Sequence, residues 1–271
     1  MKLKGWLDSN RGVFSDSDLR FIIKNFFSDS PLSVLEDNTF LDEKRHNSLE
    51  KIKNLYLRKI PLAYILGKEE FYGLEFKVNF GVLIPRKETE LVVEAALKII
   101  EDNICQRILD LGCGCGNIAI SIGKSSSRRL KICALDISSQ ALAAAQRNVK
   151  FYGSSIKLIQ SDLFEEVKQR QFDLIVTNPP YVESKDIRGS LKYEPRIALD
   201  AGDGLDLIKK ILLQAPPYLR GEGYLIMEIG YNQRRAVNNL IKGSGRYKII
   251  NWIKDYDNNW RGVILKLWIS S

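Results

Sequence analysis

The spacing of apolar residues along the chain changes period near residue 60. Between residues 18 and 27 they fall at Leu19, Ile22, Ile23, Phe26 and Phe27, three and four apart, which predicts a helix with one buried face. Ser15 or Ser17 is placed to cap it. A second stripe, Leu49, Ile52, Leu55 and Tyr56, follows Asp42, another capping residue. Residues 1–70 therefore predict a small helical domain whose stripes packing alone accounts for, with a scaffold or substrate-docking role expected for it.

Beyond Pro61 the texture shifts. Phe76-Lys77-Val78-Asn79-Phe80 alternates with a period of two, and Gly81 is expected to turn it into 82–85. This predicts a β-hairpin linker over 71–85. Arg86-Lys87-Glu88-Thr89-Glu90 then opens a helix with apolar residues at Leu91, Val92, Ala95 and Ala96. From there strands alternate with helices. Strands are expected at 107–111, 130–135, 156–160, 174–176, 223–229, 247–254 and 262–269, with helices after the glycines at 112–116 and at 139–152, 205–213 and 232–242. The last two strands are close enough to form an antiparallel hairpin around Asn258-Asn259. Seven strands in this alternation predict an α/β domain over 86–271, and in such open sheets ligands bind at the strands' carboxyl ends.

Composition narrows the function. Hydrophobic residues make up 45% and charged residues 27% of the 271, as in ordinary soluble globular proteins. The net charge is +8, and only about one unit of it lies in the first 80 residues. The basic remainder suits contact with nucleic acid or a ribonucleoprotein, and equally a plain solvated surface. Cys105, Cys113, Cys115 and Cys133 match no zinc spacing and are expected to be buried, reduced thiols, so no metal site is expected. A single histidine, His46, argues against His-dependent nucleophilic catalysis. With no apolar run near 18 residues and no signal sequence, the expected location is the cytoplasm.

The chemistry gathers at strand ends. Strand 107–111 runs into Gly112-Cys113-Gly114-Cys115-Gly116-Asn117. The dinucleotide fingerprint needs a third glycine where Asn117 stands, and no Gly-Lys-Ser/Thr closes a P-loop, so neither motif is met. The second strand ends on Asp136, about 20 residues after the turn, where a carboxylate can accept from both hydroxyls of a ribose. The third closes on Ser161-Asp162-Leu163, placing Asp162 for an adenine amino group and Leu163 for the ring. Each acid alone is also an ordinary helix cap.

The fourth strand ends on Asn178-Pro179-Pro180-Tyr181. Two prolines cannot donate to a sheet ladder, so the chain must leave in a fixed direction. The Asn178 side-chain oxygen and the Pro179 carbonyl are both acceptors, able to take both hydrogens of a planar NH2 group. Tyr181 can cover its flat face. An Asn-Pro turn that merely ends a strand is the simpler alternative. The loop that follows, through Lys192-Tyr193-Glu194-Pro195-Arg196 and Gly202-Asp203-Gly204, is long enough for a lid.

Taken together, 61–67 with Glu70-Phe71, 83–90, the glycine turn and Asn178-Pro179-Pro180-Tyr181 resemble the HemK/PrmC family of release-factor glutamine N5-methyltransferases. Ala63 stands where that family usually has Gln, Lys87 where it has Pro, and Cys113 and Cys115 where it has Thr or Ser. The resemblance implies a class I, Rossmann-like methyltransferase sheet with an N-terminal helical domain and a linking hairpin. It also implies S-adenosylmethionine as cofactor, and methyl transfer to the glutamine of the Gly-Gly-Gln loop in peptide chain release factors by a monomer. By the same likeness Gly112, Cys113, Gly114, Cys115 and Gly116 line the cofactor, Asp136 holds its ribose, and Asp162 and Leu163 frame the adenine. Asn178 stands between cofactor and substrate, and Asn178, Pro179, Pro180 and Tyr181 receive the amide. The alternative is an N6-adenine or N2-guanine methyltransferase, whose exocyclic amine suits the same tip. Against it, the chain leaves no evident room for a target-recognition domain and its helical region is charge-balanced. A non-catalytic adapter has no physical need for Asp136 and Asn178.

Overall fold

The computed structural model describes residues 2–26, 39–103, 105–168, 171–202 and 204–268; Phe27, Asp203 and Ile269 lie outside them. The chain divides into two compact units, Met1–Gly67 and Lys68–Ser271.

In the first unit, helices α1 (Leu3–Asn10), α2 (Asp16–Phe26), α3 (Glu43–Leu57) and α4 (Leu62–Leu66) pack as a small bundle. Both predicted caps form. Ser15 Oγ accepts from the Asp18 amide at 3.1 Å while Asp18 Oδ2 accepts from the Ser15 amide at 3.2 Å, so each satisfies the other's free donor. Asp42 Oδ1 accepts from the Arg45 amide at 2.7 Å. The apolar stripes are consumed inside this unit: Leu19, Ile22, Ile23, Leu49 and Ile52 close on Leu3, Trp6 and Phe14.

The second unit opens with a hairpin, β1 (Lys68–Phe71) against β2 (Leu74–Lys77), antiparallel and joined by Tyr72-Gly73. Both turn residues have positive φ, 51° and 71°, as a two-residue turn with the twist of the flanking strands requires. The hairpin thus lies upstream of the Gly81 turn that the alternation at 76–80 suggested. Pairing ends at Lys77, and 78–86 is irregular chain. Tyr in place of the usual Asn or Asp hid the true turn from the sequence.

After α5 (Glu90–Asp102) comes the main sheet, with α6 (Asn117–Ser125), α7 (Ser139–Phe151), α8 (Asp206–Gln214) and α9 (Arg234–Ser244) between its strands. These are β3 (Arg107–Leu111), β4 (Lys131–Asp136), β5 (Ile156–Gln160), β6 (Phe172–Thr177), β7 (Leu219–Glu228), β8 (Tyr247–Lys254) and β9 (Trp260–Leu267). Their order is β5-β4-β3-β6-β7-β9-β8. The first five run parallel, and β9 inserts antiparallel between β7 and β8. Each residue of β6 is buried, which is why its centre, Leu174-Ile175-Val176, is apolar without alternation. β7 starts four residues before its expected beginning. A register shift against β6, with Glu222 at φ 64°, absorbs the extra residues as a bulge.

One buried amide fastens the hairpin to the sheet. Asn148, on α7, accepts from the Lys77 amide at 2.9 Å and donates to the Lys77 carbonyl at 3.1 Å and the Cys115 carbonyl at 2.9 Å. Tyr152, one turn on, accepts from the Glu75 amide at 2.8 Å. An apolar residue at 148 strands three backbone groups away from water. Asn148→Leu is therefore expected to lose at least about 2 kcal/mol of stability, read as a lower urea midpoint at unchanged slope.

Candidate active site

The carboxyl ends of β3, β4, β5 and β6 open onto a cleft of about 940 Å³, including its mouth. Gly112, Gly114, Asp136, Asp162, Leu163, Asn178, Pro179 and Pro180 line it, so residues from all four expected segments meet there. Cys113, Cys115, Gly116 and Tyr181 are not among its lining.

The glycine turn is shaped by its backbone bonds. Gly112 and Gly114 sit at φ 77° and 55°, the left-handed region, where a side chain is strained even though open space surrounds both. The amides of Gly112 and Cys113 both donate to the Leu135 carbonyl at 2.8 Å, and Gly116 N donates to the Cys113 carbonyl at 2.8 Å. Gly114 N donates to Asp136 Oδ2 at 2.9 Å. These four donors are spent within the protein and a carboxylate stands beside them, so they form no phosphate cradle. That is the structural counterpart of the missing dinucleotide and P-loop motifs. The thiols of Cys113 and Cys115 face the interior, and burial pushes both pKa values up, Cys115 to about 12, which leaves them inert.

Asp110, beneath the turn on β3, is completely buried. Its Oδ2 accepts from the Ala119 amide at 3.0 Å, anchoring α6, while Oδ1 has no hydrogen-bond partner among the described residues. Burial raises its pKa to about 7, opposed by the Ala119 bond and helped by the charge of Asp136.

The next two strands supply the cleft's polar rim and apolar wall. Asp136 Oδ1 accepts from the Ser138 amide at 2.9 Å, so each carboxylate oxygen holds one backbone donor and keeps acceptor capacity for a ligand. After β5, buried Ser161 closes a tight turn, accepting from the Glu166 amide at 3.0 Å and donating to the Leu163 carbonyl at 2.9 Å. Leu163 is thereby held at φ 47°, an unusual conformation for Leu, with its side chain on the cleft. Ile137, directly after Asp136, lines the same cleft while remaining exposed. Sequence reasoning passed over Ile137; a large apolar residue just past a strand-end acid was the available signal.

At the end of β6, Thr177 donates to the Leu111 carbonyl at 2.7 Å and fixes the strand's last residue. Asn178 Nδ2 then donates to Thr89 Oγ1 at 3.0 Å, which turns the amide so that its oxygen is the edge left over. Tyr181 does not cover the cleft as expected. Its hydroxyl donates to Glu228 Oε1 at 2.9 Å, and burial with the neighbouring carboxylate pushes the phenol far above its ordinary range. Thr89 and Glu228, both buried, were not singled out as site residues from the sequence.

The loop after Tyr181 lies over the cleft and is tied at its base. Val182 N donates to the Leu199 carbonyl and Ala201 N to the Val182 carbonyl, each at 3.0 Å. Gln233 Nε2 donates to the Tyr181 carbonyl at 3.2 Å and the Gly204 carbonyl at 2.9 Å. Buried Glu194 pairs with Arg86 and accepts from the Ile84 amide at 3.2 Å. The helical turn Arg196–Leu199 then brings Ile197 and Ala198 to the cleft wall.

A mostly parallel sheet with this strand order, and an Asn-Pro-Pro tip lining an acid-rimmed cleft, define a class I methyltransferase. Residues 87–244 match the family model described as methyltransferase small domain. A Fusobacterium nucleatum protein named release factor glutamine methyltransferase is 40% identical over 83% of this chain and 66% of its own length. One of the same name from Thermodesulfovibrio yellowstonii is 34% identical over 95% of this chain and 94% of its own. The chain belongs to the release factor glutamine methyltransferase family. A solved methyltransferase from Pyrococcus furiosus shares the fold, with TM-score 0.52 and 18% identity over 83% of this chain and 98% of that one.

Buried Asp110 gives stability a measurable pH dependence. Its folded pKa, about 7, lies above the unfolded value of 3.8, so between these the folded chain binds more protons and stability falls as pH rises. Above pH 5 the wild type should lose stability more steeply than Asp110→Asn, by at most about 1.4 kcal/mol per pH unit and by about half that at pH 7. Urea titrations across that range measure the difference.

Proposed function

We propose that the protein transfers a methyl group from S-adenosylmethionine to the side-chain amide nitrogen of the glutamine in the Gly-Gly-Gln loop of peptide chain release factors, acting as a monomer. The observation that carries the reading is the Asn178 amide, held by Thr89 at the cleft with its oxygen left as acceptor next to Pro179. Family membership supports the substrate, and a cleft complete within one chain supports action as a monomer.

The cleft suits the cofactor. Gly112 and Gly114 allow close approach of a ligand to the backbone, and Asp136 has acceptor capacity for two ribose hydroxyls. Ile137 and Leu163 offer apolar faces for an adenine ring, with Asp162 at its amino edge. The cofactor supplies an electrophilic methyl on a sulfonium centre. On the substrate side, an amide nitrogen is a weak nucleophile because its lone pair is delocalised. Asn178 Oδ1 and the Pro179 carbonyl together accept its two hydrogens, which aims the nitrogen and stabilises positive charge growing on those N–H groups. The amide proton becomes acidic once the methyl is attached, so no histidine is needed. The Met1–Gly67 unit spends its apolar stripes internally, and we assign it the task of gripping the release factor away from its loop.

Mass spectrometry of release factor incubated with enzyme and S-adenosylmethionine should find one methyl on the loop glutamine. Tritium from labelled cofactor appearing in RNA or DNA instead would overturn the reading. Asp136→Ala should weaken S-adenosylmethionine binding roughly 10- to 150-fold in calorimetry, the loss of hydrogen bonds to a charged acceptor. Asn178→Ala should depress turnover by about 10²–10³ with a far smaller change in cofactor affinity. Near-normal turnover at saturating substrate would refute the amide clamp.

A further inference from the structure

Most of the formal charge of +8 is gathered in one stretch of the chain. Residues 229–254 hold six cations, Arg234, Arg235, Lys242, Arg246, Lys248 and Lys254, and no acid. They belong to α9, to β8 and to the turn between the two. All six are exposed, and among the described residues none of them makes an ion pair. β8 ends the sheet, next to β9, so the cations run along its outer edge.

Two of these side chains are held in place by aromatic rings. Arg234 Cζ lies 4.1 Å from the centre of the Trp260 ring and 5.3 Å from that of Trp252. Lys254, opposite Trp260 across the β8–β9 pair, brings its Nζ to 4.3 Å from the same ring. Arg235 and Lys242 are seven residues apart on α9, so they share its outer face about 10 Å from each other, away from buried Val237 and Ile241. Lys248 stands directly across from Lys266, a like-charge pairing that works against the sheet. Glu222 pairs with Lys266 at 3.3 Å and leaves Lys248 unmatched.

Ordinary surface design explains part of this. Edge strands carry lysine to block pairing with another chain, which covers Lys248 and Lys254. It does not cover Arg235 and Lys242, which stand on a helix. Exposed helices usually set acids three or four residues from their bases, and α9 has no acid at all. Of the acids that follow, Asp255 is taken by Arg261 at 2.7 Å, and Asp257 lies on the exposed hairpin turn.

An array of one sign, unbalanced and partly stiffened, matches a partner whose opposite charges recur at short intervals, as phosphates do along a nucleic acid. A protein partner calls for an apolar centre and disfavours lysine, whereas three of the six cations here are lysines and the indoles already carry cations on their faces. Those occupied rings leave no platform for stacking bases, so the contact follows the backbone and not the sequence. Asn238, Asn239 and Asn251 lie among the cations, neutral groups that can donate to or accept from a ribose 2′-hydroxyl. We propose that α9 and β8 form a docking surface for RNA, held through its phosphates without regard to sequence. None of the six cations lines the cleft, so the proposal goes beyond the methylation reading and does not rest on it.

Fluorescence anisotropy of a labelled oligouridylate of about 20 nucleotides, titrated with the full chain at several salt concentrations, tests this. Kd should lie between about 1 and 100 μM at about 0.15 M salt. The logarithm of affinity should fall against that of salt with a slope of about −3 to −4, at about 0.7 for each phosphate neutralised. The pair Arg235→Gln with Lys242→Gln, and the pair Lys248→Gln with Lys254→Gln, should each weaken binding roughly 10- to 20-fold and reduce the slope by about 1.4. Lys124→Gln with Arg129→Gln removes as much charge at and just after the end of α6, which packs on β3 and β4 away from β8, and should stay within twofold. On addition of RNA, amide resonances of the ¹⁵N-labelled wild type should move in α9 and β8 and hold still around the cleft, a readout that needs no variant. The deoxy oligonucleotide and phosphatidylserine vesicles should both bind several-fold more weakly. If the α6 variant loses as much affinity as the other two, only diffuse net charge is at work and the proposal is overturned. DNA or vesicles binding as tightly as RNA overturn it too. Methylation of release factor by the α9 and β8 variants should stay within twofold of wild type; if it falls along with RNA binding, the surface belongs to the protein substrate and the proposal fails.

Discussion

The cleft depends first on a single carboxylate. Asp136 leaves β4 and reaches back to the Gly114 amide while also holding Ser138. Those two bonds lock the glycine turn of one strand to the end of the next. The parallel sheet brings the strand ends together, but a sheet alone leaves its loops free to wander. With Gly112 and Cys113 both bonded to the Leu135 carbonyl, the turn has little freedom left. Asp136 is only partly exposed, and burial raises its pKa despite the Ser138 and Gly114 bonds that favour the charge. A ligand that donates to it would satisfy an acid that the fold has already partly dehydrated.

Much of this was legible in the chain itself. β3, β5 and β8 occupy the expected residues, and the other strands of the sheet and its helices lie within a few positions, because buried apolar runs bounded by glycine, proline and acids leave few alternatives. Asp136, Asp162, Leu163 and Asn178 reach one cleft because each ends a strand of the same parallel sheet. What escaped notice was either unusual locally or distant in sequence. Tyr72-Gly73 lacks the turn composition that marks a two-residue hairpin. Thr89 and Glu228 are separated by most of a domain, and each looks ordinary by itself: a threonine at a helix start, an acid at the end of a strand. Only the fold brings Thr89 to Asn178 and Glu228 to Tyr181. Tyr181 illustrates the opposite error, an aromatic ring assigned to the ligand when its hydroxyl belongs to Glu228.

The loop over the cleft shares this economy of anchors. Gln233, Glu194 and Arg86 come from the α9 start, the loop itself and the approach to α5, and each ties a loop carbonyl, amide or charge to the body of the domain. The ordering entropy of the loop is therefore largely spent on folding, and a substrate meets a formed wall at Ile197 and Ala198 instead of recruiting one.

Buried acids also change how the molecule looks from a distance. The formal charge of +8 counts each carboxylate as fully ionised. Burial pushes the carboxyls of Asp110 and Glu228 up to about 7, so their negative charge is only partly present at neutral pH. The surface that an approaching partner senses is thus more cationic than composition implies. Its encounter rate with anything acidic will rise as salt is diluted, even though no cationic side chain among the described residues lines the cleft.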